Sequence, residues 1–441
     1  MIRDRHDQPL AGADRAAADL FDRALDGFAV YRGDPVGLLD EAIALAPGCA
    51  MARLAKGWMF ALATAPEAAE AARGILAEAR ALPLDDRAAG HAAALEAALA
   101  GEWTAAAQRL ARHSMRFPRD FLALQAGHLI DFLRADAREL RDRIARALPA
   151  WDGVPGRSLV LGMHAFGLEE AGDHARAEAA GRAAVESDPR DCWAHHAVAH
   201  VLEMQGRAAD GVAWIRGREP HWAGDGNFFQ VHNWWHRALC HLELDQPAEA
   251  LALHDGPIRG GRSAVALDLV DASALLWRLD LAGVEVGDRR AELSEAWQAQ
   301  ADGRLYPFND WHAAMAHLGA GRGAAMERLL AAARAGGEGE TARWMRETGL
   351  PLIEGFAAVR DGRFAEAAET LATARGISRS FGGSHAQRDV IDWTLTEAAI
   401  RGGPRAEAVA LARERLALRP HSPVNRAFLR RAAQAAAPLA A

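Results

Sequence analysis

Two histidine pairs, His196/His200 and His232/His236, each have i, i+4 spacing. On a helix this points both rings the same way, about one turn apart. Such a pair can chelate a transition metal, so these four residues are the candidate metal ligands. Carboxylates follow both pairs, at Glu203 and Glu243, and Asp268 and Asp271 share one helix face at i, i+3. A histidine with a carboxylate partner is also the minimal kit for acid–base catalysis.

Three further strings extend the set: Phe308-Asn309-Asp310-Trp311-His312, Ser384-His385-Ala386-Gln387-Arg388-Asp389, and Trp193 just before the first pair. The candidate catalytic residues are His196, His232, His236, Asp268, Asp271 and His312. Candidate substrate contacts are Trp193, Asn233, Trp235, Asn309, Asp310, His385, Arg388 and Asp389. Arg388 would hold a carboxylate or phosphate. The asparagines would orient a ligand by hydrogen bonds.

Plainer readings stand beside these. A histidine on an apolar helix face is more often a hydrogen-bonded core residue than a ligand. Trp193, Trp214, Trp234 and Trp235 fit packing better than a substrate platform. Asp268 and Asp271 could simply bond arginines of a neighbouring repeat. The string His196-Ala197-Val198-Ala199-His200 matches a zinc-protease helix in spacing only, because Ala197 stands where the glutamate base should be.

The elements that position these residues are helices. Helical periodicity runs almost end to end, and strand-like alternation is absent. Short turns recur before Ala-rich helices at Gly101, Asp136, Gly172, Gly206, Asp245, Gly287, Gly321-Arg322, Gly362 and Gly403, spaced 34 to 42 residues apart. That period marks a solenoid of helix pairs. The fold expected is all-α, a right-handed superhelical solenoid of about nine to eleven antiparallel pairs. Leu168 to Pro189 is the clearest unit, helix A, tight turn, helix B, ending in Asp-Pro. One continuous array over 1–441 is expected. Its N-terminal pairs over 1–150 are looser, 151–403 carries the motifs, and 404–441 forms capping helices that fray in an alanine-rich end.

The polar motifs fall mostly on A helices, which line the concave wall of tetratricopeptide-like arrays. His128, His164, His196, His236 and His312 each precede a turn by 8 to 10 residues. They would form a ladder of imidazoles at nearly one height.

Composition excludes several classes. The 441 residues carry 51 basic and 59 acidic side chains, a net charge of −8, which argues against nucleic-acid binding. Lys56 is the sole lysine and lies outside any phosphate-binding loop, so neither a nucleotide nor a pyridoxal phosphate site is expected. Cys49, Cys192 and Cys240 are far apart, which argues against an iron–sulfur cluster and suits a reducing cytoplasm. No secretory signal or membrane span is expected. The cofactor is left open, with a divalent transition metal as the one candidate. A homodimer is also left open.

Trp193 to Gly206, His232 to Leu239, Asp268 to Leu279, Phe308 to Ala316 and His385 to Val390 together resemble the tetratricopeptide repeat protein 38 family. The match spans about half the chain. It implies a tetratricopeptide-like α-helical solenoid and no particular reaction.

Two functions fit. In the first, a small polar ligand binds a His/Asp/Arg/Trp-lined pocket on the concave face, and the protein is an enzyme doing hydrolytic or acid–base chemistry, metal-assisted or not. In the second, the array is a non-catalytic scaffold that holds a peptide or protein in the groove. A closed pocket filled by side chains favours the first, and an open groove the second.

Overall fold

The computed structural model describes residues 2–224, 226–321, 323–378 and 381–434. Arg322 and the expected fraying end, 435–441, lie outside the described residues. Among the described residues the chain is all-α, with two isolated β-bridges and no strand. No helix is long and apolar enough to cross a membrane.

Successive helices pack as neighbours joined by short turns, so the chain is a helical repeat. The local chemistry of the turn explains its regularity. Gly101, Gly172, Gly206, Gly321 and Gly362, with Gly283 in place of the expected Gly287, all have φ between 65° and 82°. Such a left-handed residue ends helix A and reverses the chain. Asp245 takes the same conformation without being glycine, and Ala135 does so just before Asp136. The next helix then starts on a capping side chain. Asp136 accepts the Glu139 N–H at 3.0 Å and Asp173 accepts that of Arg176 at 3.4 Å. Gly403 differs, with φ −85°. Two of the wide turn spacings also have a local cause. The Asp245–Gly287 interval holds a π-helical turn at His254–Ile258, and the Gly321–Gly362 interval another at Met345–Gly349.

The chain divides into two compact units, Met1–Val198 with Arg218–Gln230, and Ala199–Gly217 with Val231–Ala441. The expected change of character near 150 does not coincide with this division.

In the first unit, Ala50–Leu62 packs on both Asp86–Leu99 and Phe121–Leu133. Its interior is aromatic around Trp193, whose Nε1–H donates to the Tyr31 hydroxyl at 2.9 Å. His128 meets Trp193 edge-on at 5.2 Å, and Phe166 lies 4.9 Å from the indole.

In the second unit the inner helices close on themselves. Ala266–Leu281 packs on Pro307–Gly319 and on His385–Gly402, and Leu350–Arg360 also packs on both of those. The four helices therefore form a circuit. Its centre is filled: Phe356 touches Trp277 at 4.7 Å and Trp311 at 5.2 Å. The Trp277 Nε1–H donates across to Thr394 Oγ1 at 3.0 Å. An inner wall of this kind is core, not an open groove, and it explains why a repeat unit of this sequence buries so many large side chains.

Candidate functional site

The polar motifs of the second unit gather around Gln230–Glu243, whose His232 reaches Asp271 on Ala266–Leu281. His232 Nδ1 lies 2.7 Å from Asp271 Oδ2. His236 Nδ1 lies 3.0 Å from Glu203 Oε2. The i, i+4 spacing on Gln230–Glu243 aligns the two rings, whose centroids are 4.8 Å apart. His200 adds a third ring 4.4 Å from that of His236. One donor nitrogen from each of His200, His232 and His236 lies within 4.8 Å of the other two. Of the four expected metal ligands, His200, His232 and His236 lie in this unit. His196 is one turn earlier on the helix of His200 and falls in the first unit, where its ring meets Phe166 at 5.0 Å and Phe229 at 5.4 Å.

Trp235 forms one wall of the cluster, stacked on His232 at 5.4 Å. The Arg278 guanidinium lies 5.7 Å over that indole. Arg278 is 1% exposed and donates to the Ala274 and Ala386 carbonyls at 3.2 and 3.0 Å. Gln387 hydrogen-bonds the Asp271 carboxylate. Asp268 sits at the margin, bonded to Ser263.

Burial governs the protonation of these groups. It pushes Glu203 up to about 7 against the opposing charge of Arg419. It pushes Asp268 up to about 6 and raises Asp271. It also drives His236 well down, helped by the charges of His200 and His232. Arg278 falls to about 10 for the same reason, partly offset by Asp389 and Glu203.

Several expected site residues take other roles. Trp193 packs in the first unit, as described, rather than lining a groove. His312 is fully buried, its Nδ1 is 2.8 Å from the Phe308 carbonyl, and burial pushes its pKa down to about 3. So weak a base, held to its own helix, is poorly suited to the general-base role expected of it. Asp310 accepts the Gly303 N–H at 2.8 Å and so fixes the loop before its helix. Arg388 donates to the Gly382 and Gly383 carbonyls, an inward lock and not a clamp for an incoming anion. Asp389 pairs with both guanidinium nitrogens of Arg415 at 3.1 Å. His385 is half-buried at the start of its helix, and Asn233 and Asn309 are buried. The groove-facing ladder of imidazoles is therefore replaced by interior rings: His128 and His312 are both fully buried against aromatic neighbours.

Sequence reasoning missed Arg278, Gln387, Arg415 and Arg419. It also missed a second polar cluster, in the first unit. There Arg87 grips Asp120 through Nε at 2.8 Å and Nη2 at 3.1 Å. His91 and His113 both place Nε2 3.0 Å from Asp120 Oδ2. The Trp58 Nε1–H donates to His91 Nδ1 at 3.1 Å. Asp4 pairs with the far side of Arg87 at 2.9 Å. The available signal was faint: Asp120 opens a helix, and His91 and His113 sit in otherwise Ala-rich segments.

These observations define a class, a helical-repeat protein with tetratricopeptide-like A–turn–B units and a buried histidine–carboxylate centre. No family model matches the chain. Among solved structures it is similar to a chain of the APC/C hetero-tetramer Cut9–Hcn1, at 13% identity over 94% of this chain and 76% of that one, with TM-score 0.44. It is also similar to the human IFIT1 dimer with m7Gppp-AAAA, at 16% identity over 96% of each chain, with TM-score 0.38. The architecture rests on the chain's own helix pairs.

Proposed function

We propose that the second unit holds a small polar ligand or ion in its interior, and that the chain is an enzyme of hydrolytic or proton-transfer type built on that centre. One observation carries the reading. Two histidine–carboxylate pairs, His232–Asp271 and His236–Glu203, lie side by side in the buried interior of the second unit. A filled helical repeat needs no such pairs for its core, and each costs desolvation that a hydrocarbon side chain would avoid.

Thermal-shift screening against small carboxylates, phosphates and amides tests this. A compound that stabilises the native chain, and not Asp271→Asn, is the expected result. Equal responses of the two chains across the panel would sink the reading.

The scaffold alternative draws on burial. His236 and Asp271 are 0% exposed and His232 is 2% exposed, so a substrate needs the unit to open. If the centre is purely structural, the protein works through its outer helix faces on a peptide or protein partner. Partner binding would then survive Asp271→Asn unchanged.

A further inference from the structure

We propose that His200, His232 and His236 bind a divalent transition-metal ion through one ring nitrogen each, with Asp271 and Glu203 as the outer carboxylates that orient two of the rings. This rests on the reading of the same interior as a ligand site, and it changes the three imidazoles from proton carriers to ligands.

The geometry supports it in three ways. First, the donors already converge. A tetrahedral zinc–imidazole site has metal–nitrogen bonds of about 2.0–2.1 Å and hence nitrogens about 3.3 Å apart. The three donors lie within 4.8 Å of one another, so side-chain rotations of about an ångström would close the set. Second, the carboxylates sit where metal sites place them. Ligating histidines usually give their other N–H to a carboxylate, which fixes the tautomer and makes the remaining nitrogen more basic. Asp271 and Glu203 both meet Nδ1, which makes Nε2 the basic nitrogen of His232 and His236. Third, the charges match. Two carboxylates balance a divalent ion, while Arg278 faces Asp389 as well as Glu203. Imidazole donors without thiolate suit zinc, iron, cobalt, nickel or copper over magnesium or calcium.

The test uses the full chain, stripped with chelator and titrated with Co²⁺ while its visible absorption is followed. One equivalent should bind and give ligand-field bands. Proton NMR of the Co²⁺ form should show three paramagnetically shifted imidazole N–H resonances. Asp271→Asn should weaken binding 10- to 100-fold, and His236→Gln should abolish it. His113→Ala, in the other histidine cluster, should leave the affinity unchanged. Because His236→Gln could unfold the unit, the N–H count and the Asp271→Asn affinity decide the matter without it. A folded native chain that binds no Co²⁺ overturns the proposal. So does binding that Asp271→Asn leaves unaltered, or fewer than three shifted resonances. If the metal-free chain still shows an Asp271-dependent thermal shift with a small organic ligand, the metal is wrong and the ligand site stands.

Discussion

The two units each bury histidines beside carboxylates, yet they use opposite ring nitrogens. In the first unit His91 and His113 turn Nε2 to Asp120, and the Nδ1 of His91 accepts from Trp58. The lone pair of His91 is thereby spent on an indole N–H, and the Asp120 charge is answered by Arg87. Burial pushes Asp120 up, but Arg87, His91 and His113 hold it well below the usual carboxylate range. In that cluster both ring nitrogens of His91 and both oxygens of Asp120 are engaged. In the second unit the carboxylates take Nδ1, and among the described residues no guanidinium grips Asp271 as Arg87 grips Asp120. The same residue types therefore make a structural knot in one place and the proposed ligand centre in the other. The choice of ring nitrogen separates them, because it sets what the other nitrogen can do.

The sharpest way to break this contrast is to unpair the knot. Asp120→Ala leaves the buried Arg87 with Asp4 alone and takes the shared acceptor from His91 and His113, and should cost about 3–5 kcal/mol. Urea denaturation should show the loss with Co²⁺ affinity intact, provided the chain still folds. A drop in affinity with no change in stability would reverse the roles assigned to the two clusters.

Next in size is a pH effect. Burial pushes Asp310 up to about 8. The folded chain keeps this proton over a range where the unfolded chain, with an ordinary carboxyl, has lost it. The stability it contributes is thus complete below about pH 4 and is lost as pH rises through about 8. Asp310→Asn keeps an acceptor for the Gly303 N–H, so it should flatten the fall in Tm between these limits. An unchanged slope would remove Asp310 as its source.

Trp58→Phe acts on the first cluster alone. It leaves a small cavity and an unpaired His91 Nδ1, and should cost about 1–3 kcal/mol in urea denaturation without touching ligand binding. Asp271→Asn should cost only about 1 kcal/mol of stability in the metal-free chain, since a neutral partner remains for His232. Calorimetry without metal checks this, and a loss several times larger would make the second cluster a knot like the first.

The helix pairs were legible in the sequence because their signals are local. A left-handed glycine, an aspartate cap and an Ala-rich run act within a few residues, and Gly172-Asp173 displays all of it. The pairing of His232 with Asp271 was half visible, since both residues stood out but 39 positions separate them. Arg278, Arg415 and Arg419 were invisible because nothing in their own neighbourhoods differs from surface arginines elsewhere in the chain. Arg388 misled for the same reason: whether a guanidinium turns out to a ligand or in to carbonyls is decided by the loop beside it. The groove itself was the main misreading. Helix period and turn spacing do not say whether successive inner helices leave a gap, and here Trp277, Trp311 and Phe356 close it.

That closure bears on how the second unit folds. In an open repeat array, stability is nearly a sum over neighbours, and unfolding can start at an end and spread. Here Trp277 is tied to Thr394 across 117 residues of sequence. The first inner helix of the circuit completes its packing only when the last arrives. Such long-range closure slows folding, since loop entropy is lost before the contact is gained. It also removes the usual modularity: deleting one helix pair from the circuit would not shorten the array by one step but would leave its remaining helices without a partner.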